Sequence, residues 1–206
     1  MDVQTTPDMP VDKKTRTRQQ ILQAALTCFA QKGYHQTSMD DIVSASGLSK
    51  GALYWHFNSK QDLFIALMEW FFQQISDDVA HAWRDGMSAA DRLRAMTRAT
   101  LKDSERLIPF FKLFLDFWAQ TPEDERLASL LERTLTEFQQ QISAVIEDGI
   151  AAGEFKPVNA PMIALSLFGV LDSLFLYRTL LGEKIDMYTA AETAVETLIA
   201  GLTCKE

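Results

Sequence analysis

The chain has 206 residues, of which 47% are hydrophobic, and 20 basic against 28 acidic side chains give a net charge of −8. This composition is globular and excludes a largely disordered protein. Two cysteines far apart in sequence, Cys28 and Cys204, exclude a disulfide scaffold and a cysteine-ligated zinc site. Taken as one number, the acidic charge also argues against binding to DNA or to an anionic membrane.

One polar segment and one apolar segment indicate where in the cell the protein acts. Residues 1–12 contain proline, threonine and aspartate without an apolar core, so we expect a disordered tail and no signal peptide. The most apolar stretch, Pro161 to Leu181, includes Asp172 and Arg178, which favours a buried helix over a membrane span. We therefore expect a cytoplasmic protein with reduced cysteines and no membrane partner.

Helix start and stop signals are clear in the first 60 residues. A helix is predicted over Lys13–Lys32, with Gly33 at its end and an apolar stripe of Ile21, Ala25, Cys28 and Phe29. Ser38 and Asp41 form a capping box for a short helix that ends near Ala45. Ser49 caps a second short helix that ends near Phe57.

The same signals predict six further helices: Ser59 to about Gly86, Ser88 to about Arg106, Pro109 to Gln120, Thr121 to about Ala152 with Pro122 in first position, Asn159 to Gly182, and Asp186 to Ala200. No segment of useful length alternates with period two, so no strand is predicted. The fold class is therefore all-α, with about nine helices.

Charge divides the chain near residue 60. Residues 13–60 hold seven basic and two acidic side chains, a charge of +5, whereas residues 61–206 carry −10 and the tail −3. DNA senses charge only within a Debye length of ~10 Å, so the local balance matters more than the total. The basic segment therefore removes the objection to DNA binding.

Two short helices joined by a turn at Gly47, within a basic segment, are typical of a helix-turn-helix that reads the major groove. Small residues at the start of the second helix let its backbone approach the groove, and its first-turn N–H groups can meet a phosphate. The candidate DNA-binding residues are Thr37, Ser38, Ser49, Lys50, Gly51, Ala52, Tyr54, Trp55, His56 and Lys60.

Several of these residues also have a plain structural interpretation. Tyr54, Trp55 and Phe57 can be core aromatics, which is favoured for Phe57 and left open for Trp55, whereas a DNA contact is favoured for Tyr54. His56 alone is an ordinary surface residue. The basic residues near the start are either a solvated charge run or an arm that reaches phosphate or the minor groove: Lys13, Lys14, Arg16 and Arg18.

The sequence from Gln36 to Phe64 resembles the DNA-binding domain of TetR-family transcriptional regulators. The Tyr54–Phe57 stretch is most similar to members that control multidrug efflux, while Val43 stands where the family usually has alanine. The resemblance covers about residues 15–64. It implies a three-helix DNA-binding domain over 13–60 and a helical ligand-binding and dimerisation domain over 61–206.

Large apolar residues dominate the second domain and are either core or the wall of a pocket for an apolar ligand. The candidate ligand-binding residues are Met96, Phe110, Phe114, Phe117, Trp118, Phe138, Phe168, Asp172 and Phe175. Asp172 lies in an apolar helix, so its carboxylate is expected to be paired, to lie at an interface or to face a ligand.

A helix that is apolar on all sides must be buried, and at the end of a chain of this size a four-helix interface across a two-fold axis achieves this. The residues predicted for a homodimer interface are Leu165, Leu171, Leu174, Arg178, Ala194 and Leu198.

The resulting hypothesis is a homodimeric, ligand-responsive regulator that represses from a palindromic double-stranded DNA operator and is released by a small apolar molecule. The two recognition helices are then expected in successive major grooves, about 34–36 Å apart or a multiple of this. An activator or a chromosome-organising DNA binder remains an alternative. An all-helical enzyme is disfavoured because no catalytic or metal motif is recognisable, and no cofactor is expected.

Overall fold

A computed structural model describes residues 13–102, 104–120 and 123–204, apart from the side chains of residues 105, 106 and 120. The predicted tail, residues 1–12, lies outside these ranges. The described residues form nine α-helices: α1 (Lys13–Lys32), α2 (Met39–Ser46), α3 (Lys50–His56), α4 (Lys60–Ala80), α5 (Ala89–Lys102), α6 (Ser104–Gln120), α7 (Glu125–Ala151), α8 (Ala160–Leu181) and α9 (Met187–Leu202). The all-α prediction is confirmed.

Predicted caps fix the first three helices. The Ser38 hydroxyl accepts from the Asp41 N–H at 3.1 Å, and the Asp41 carboxylate accepts from the Ser38 N–H at 2.8 Å, completing the capping box. Gly47 ends α2 with φ +66°, a left-handed conformation that glycine adopts without steric cost. These caps set α2 and α3 in the predicted helix-turn-helix order.

Helix α4 ends at Ala80, earlier than the predicted end near Gly86. Asp77 and Asp78 lie in its last turn, where carboxylates oppose the negative end of the helix dipole. Gly86 instead takes φ +86° in the connection to α5.

The breaks around α6 also differ from prediction. Pro109 lies inside α6 near its start and on its solvent-exposed side, where only one intrahelical hydrogen bond is lost, so α6 begins at Ser104 and not at Pro109. Helix α7 begins at Glu125 because the Asp124 carboxylate accepts from the N–H groups of Arg126 and Leu127. The predicted opening residues, Thr121 and Pro122, lie outside the described ranges.

The chain divides into two compact units between Leu67 and Met68. In the N-terminal unit, the core surrounds Phe29 and Phe64, both almost completely buried, with their ring centroids 5.9 Å apart. Helix α4 begins in this unit and continues into the next.

The C-terminal unit is a bundle in which α8 packs on α6, α7 and α9, and α5 packs on α7 and α9. Arg94 of α5 forms a forked pair with Glu196 of α9, with N–O distances of 2.6 and 2.8 Å. An isolated bridge between Phe155 and Thr203 joins the end of the α7 turn to the end of α9.

Helix α8 is the one helix of the described chain that is long and apolar enough, by length and composition, to cross a membrane. Leu167, Leu171 and Phe175 are buried within the unit. Its opposite face is exposed in the single chain and carries Met162, Val170, Tyr177 and Leu180. No other described residue of the chain covers this apolar face.

Candidate DNA-binding surface and effector cavity

Helix α3 separates its side chains between core and solvent. Leu53 and Phe57 are buried, whereas Tyr54 and Trp55 are 41% and 66% exposed. The structure thus settles the position of Phe57 as core and places both other aromatics on the outer face. Exposed aromatic rings on a helix of this kind are available to base edges and sugars.

The start of α3 presents polar groups on the same surface. The Ser49 hydroxyl accepts from the Ala52 N–H at 3.2 Å, which leaves its own proton for a phosphate oxygen. Lys50 is exposed and pairs with Asp40 of α2 at 2.8 Å. Gly51 adds no side chain, and nothing lies within 4 Å of where its Cβ would be.

Three other predicted DNA-contact residues are partly buried or already hydrogen-bonded within the protein. Ser38 is exposed, but its hydroxyl lies 2.7 Å from the Asp41 carboxylate as well as capping α2. Ala52 is half-buried. His56 is also half-buried, and burial, followed by the charges of Lys14 and Arg18, lowers its pKa. The His56 imidazole is therefore neutral at physiological pH.

The structure gives Thr37 and Lys60 roles other than the predicted DNA contacts. Thr37 is buried, and its hydroxyl lies 2.8 Å from the Gly33 carbonyl and 3.2 Å from that of Cys28. The Lys60 ammonium donates to three carbonyls, those of Tyr34, His35 and Thr37, at 2.8, 3.2 and 2.9 Å. Because an ammonium has only three N–H donors, Lys60 has none left for a phosphate in this geometry.

The basic residues at the start of α1 are helical from Lys13, as predicted, and their role as a solvated charge run or as a contact to DNA stays a prediction. Lys14 lies over the Trp55 ring at 5.1 Å from its centroid, and Arg18 lies over Phe57 at 5.6 Å. These cation–π contacts place positive charge beside the exposed face of α3. Sequence reasoning missed them, as it missed the Asp40–Lys50 pair, because both depend on how helices pack.

The C-terminal unit contains a cavity of about 370 Å³ between α4, α5, α6, α7 and α8. Eight phenylalanines line it: Phe71, Phe72, Phe110, Phe111, Phe114, Phe138, Phe168 and Phe175. Phe71 stacks on Phe110 with their centroids 3.4 Å apart. The size and apolar wall suit a small organic ligand.

Seven of the nine predicted ligand-binding residues lie on this wall: Met96, Phe110, Phe114, Phe138, Phe168, Asp172 and Phe175. The other two lie elsewhere. Phe117 is completely buried and Trp118 is 37% exposed, and both lie beyond Leu115, the last residue of α6 on the wall. Helical periodicity put each on a face that also carries a lining residue, but it does not show how far along α6 the cavity extends.

Sequence reasoning missed the contribution of α4 to the cavity. Phe72 and Ile75 line it together with Phe71 and Val79. The apolar spacing at residues 71, 75 and 79 marks an inward face, but it does not distinguish a core from a cavity wall.

Asp172 is the one ionisable side chain among the described residues that line the cavity. It lies where the cavity wall meets solvent, since its side chain is exposed by area yet sufficiently desolvated to raise its pKa. Within the described ranges it has no hydrogen bond or ion pair.

The predicted dimer residues separate into two groups. Leu171 lines the cavity and is buried, so it is wrong as a surface contact. Leu165 is exposed, and four others are half-buried: Leu174, Arg178, Ala194 and Leu198. Arg178 lies 4.0 Å from Glu183.

A capped helix-turn-helix with an exposed recognition helix defines a DNA-binding transcriptional regulator. Residues 21–67 match the family model of bacterial regulatory proteins of the tetR family, and residues 89–203 match the C-terminal model of BetI-type transcriptional repressors. The chain belongs to the TetR family of bacterial transcriptional regulators.

Individual relatives match this chain along nearly its whole length. The HTH-type regulator YfiR of Bacillus subtilis is 27% identical over 92% of this chain and 93% of its own. The regulator TtgR of Pseudomonas putida is 28% identical over 90% and 91%. A TetR regulator structure from Haloarcula marismortui superposes with a TM-score of 0.82 at 19% identity, covering 92% of this chain and 100% of that one.

These relatives are transcriptional regulators, and this chain is a regulator rather than an enzyme. Regulators of this family bind DNA and small-molecule effectors and act as dimers. The family also places its members generally in the cytoplasm.

Proposed function

We propose that this protein is a homodimeric repressor that binds a palindromic operator and leaves it when a small, largely apolar molecule enters the cavity. The observation that carries this proposal is the Phe-lined cavity of about 370 Å³ in a chain that also holds an exposed recognition helix. A packed core without function has few voids larger than a water molecule, so a cavity of this size needs a reason.

The proposed DNA contacts are exposed or half-buried residues of α3 and its neighbours: Ser38, Ser49, Lys50, Gly51, Ala52, Tyr54, Trp55 and His56. Thr37 and Lys60 leave the predicted set because their polar groups are satisfied within the protein. Lys14 and Arg18 join it because they lie beside the aromatic residues of α3. Phosphate contacts position the helix, and Tyr54 and Trp55 are available for base edges.

Effector response follows from the position of α4. The helix contributes Phe71, Phe72, Ile75 and Val79 to the cavity, and its first residues belong to the DNA-binding unit. A ligand that displaces these side chains acts on a helix continuous with that unit. It shifts the DNA-binding equilibrium only by its difference in affinity between the two states.

The proposed dimer uses the exposed apolar face of α8. Met162, Val170, Tyr177 and Leu180 are each at least 42% exposed in the single chain. Gly169 lies among them with open space around its Cβ position, which lets a second helix approach closely. Burying this face against its two-fold copy removes the apolar surface from water.

The test of DNA binding is a mobility shift on the DNA upstream of the protein's own gene. We expect Tyr54→Ala to lose specific binding while the dimer mass in sedimentation is unchanged. A monomeric Tyr54→Ala protein would show that Tyr54 is structural. Retained specific binding by this variant would remove it from the DNA interface.

The test of the cavity uses the neutral dye N-phenyl-1-naphthylamine, whose fluorescence rises in an apolar site. Leu135 lines the cavity, and Leu135→Trp fills part of it. We expect the wild type to bind the dye and the variant to lose dye binding while it still shifts operator DNA. Equal dye binding by the wild type and the variant would contradict the proposal that the cavity binds the effector.

A further inference from the structure

The described lining of the effector cavity carries negative charge and no positive charge. Among the described residues that line it, Asp172 is the one that carries a charge. Arg178, six residues further along α8, lines a separate recess with Glu183 and Tyr188. The cavity wall therefore offers a carboxylate and, in its described part, no basic side chain.

The surroundings of Asp172 are aromatic. Phe168 and Phe175, at positions −4 and +3 on the same helix, lie on either side of it along the cavity face. Each pairs with a ring from another helix: Phe168 with Phe138 at 5.8 Å between centroids, and Phe175 with Phe111 at 6.4 Å. Phenyl faces attract cations and repel anions.

The hydroxyl groups of the cavity wall do not offset the negative charge of Asp172 and the phenyl faces. Thr97 donates to the Leu93 carbonyl and Thr100 to the Met96 carbonyl, both at 3.0 Å. Thr134, the third threonine, is uncharged. An anionic head group would meet an acid and aromatic faces without a cation to neutralise it.

We propose that the cavity accepts a monocationic amphiphile, whose charged end lies beside Asp172 at the rim and whose apolar body lies among the phenyl rings. This inference rests on the proposed effector site and names its ligand class. The position of Asp172, exposed at one edge of an otherwise apolar cavity, matches an amphiphile with a solvated head. Partial desolvation disfavours the charged form of Asp172 and raises its pKa. A bound cation next to this carboxylate offsets that cost.

The experiment compares three probes with one chain length, decyltrimethylammonium, 1-decanol and decanoate, each below its aggregation concentration. Calorimetric titration of the full-length protein measures binding, and anisotropy of labelled operator DNA measures release. We expect the cation to bind tightest, about tenfold more tightly than decanoate, because the pair is intermediate between exposed and buried.

Three variants assign the preference to Asp172. Asp172→Asn should bring the cation and decanoate to within about threefold of each other, and Asp172→Lys should reverse their order. Asp78→Asn removes the same charge from an exposed position of α4 away from the cavity and should leave the order unchanged. Thermal melting and sedimentation check that each variant remains folded and dimeric.

Other outcomes overturn the inference without being confused with failure of the proposed function. If decanoate binds as tightly as the cation, or the preference survives in Asp172→Asn, the charge assignment is wrong while the cavity remains the effector site. If Asp172→Asn changes dimer mass but not probe preference, Asp172 belongs to the subunit interface. If none of the probes binds, the ligand class is wrong, and the ligand-free operator shift still tests DNA binding.

Discussion

The two units of this regulator differ in how their cores are filled: the N-terminal unit packs closely around Phe29 and Phe64, whereas the C-terminal unit encloses a cavity. In the N-terminal unit, polar groups fix the helices: the Ser38–Asp41 capping box and the three carbonyls around the Lys60 ammonium. In the C-terminal unit, the helices meet over phenyl rings and leave about 370 Å³ between them. Hydrogen bonds are directional and specify one geometry, whereas apolar contacts tolerate repacking.

This difference matches the two tasks. A recognition helix must hold its side chains in one arrangement to distinguish base sequences, so directional contacts suit it. An effector domain must change shape on binding, and a cavity lined by rings that can rotate permits this.

The largest effect should distinguish the two kinds of core. Phe64→Ala removes a fully buried ring that contacts Phe29 and Tyr34, at a cost of about 3–5 kcal/mol in unfolding free energy. Phe114→Ala only widens an existing cavity from a half-buried wall position, and should cost about 1–2 kcal/mol. Denaturant titration, followed by hydrogen exchange in each unit, measures the two losses in unfolding free energy. Equal losses would contradict the difference between a closely packed N-terminal core and a C-terminal core with a cavity.

A second prediction concerns a glycine in the C-terminal unit at which a side chain has no room. A Cβ at Gly149 would lie 2.7 Å from the Ala89 Cβ and would also overlap the Phe155 ring, so Gly149→Ala should cost about 1–3 kcal/mol. Gly201, in α9, has nothing within 4 Å of its Cβ position.

Gly201→Ala is the matched control and should be neutral or stabilising by up to about 1 kcal/mol, because alanine favours helix. Thermal melting of both variants checks this. If the two variants melt together, α7 does not pack against Ala89 and Phe155 as described.

A third prediction tests the polar surface. Lys50→Ala should weaken operator and random DNA binding alike and reduce the slope of log affinity against log salt by about 0.9, the loss of one phosphate contact. Lys156→Ala removes the same charge from an exposed position in the C-terminal unit and should leave that slope nearly unchanged.

Asp40→Asn refines this result, because Asp40 holds the Lys50 ammonium at 2.8 Å and competes with phosphate for it. The variant should bind random DNA severalfold more tightly. Filter binding over a salt series measures all three proteins, and an unchanged slope in Lys50→Ala would exclude the phosphate contact.

The smallest effect is a pH dependence in the N-terminal unit. The hydrogen bond from Lys32, followed by those from Ser38, holds the pKa of Asp41 well below its usual range. A carboxyl with a depressed folded pKa stabilises above its unfolded pKa of about 3.9, and the stabilisation disappears as pH falls below that value.

Asp41→Asn should therefore be less stable than wild type at pH 6, with the difference shrinking below about pH 4. Urea titrations from pH 6 to 3 measure it. Asp78→Asn, at an exposed site, should not show this convergence. A difference that stays constant with pH would mean that the Asp41 charge is not what matters.

The sequence predicted local structure well where the cause is local. Caps at Ser38, Ser49 and Asn159 and stops at Gly33 and Gly182 follow from neighbouring residues, and the structure has them. The end of α4 was predicted too late, near Gly86 instead of at Ala80, although the unfavourable carboxylates in its last turn are also a local signal.

Site residues followed the same rule. Exposure of Tyr54 and burial of Leu53 follow helical periodicity within α3, and the buried Phe57 directly follows the helix. The internal role of Lys60 depends on a turn 23 to 26 residues earlier, so no local pattern predicts it. How far along α6 the cavity extends, and hence why Phe114 lines it and Trp118 does not, likewise depends on the packed bundle.

The Lys60 ammonium also has a consequence for how the N-terminal unit opens. Its bond to Tyr34 closes a 26-residue loop that contains all of α2 and α3. Neither helix can detach far while the loop is closed, so the two are tied into one cooperative segment. Side chains on the outer face of α3 are then free to vary for new operators, since the Lys60 hydrogen bonds that close the loop use none of them.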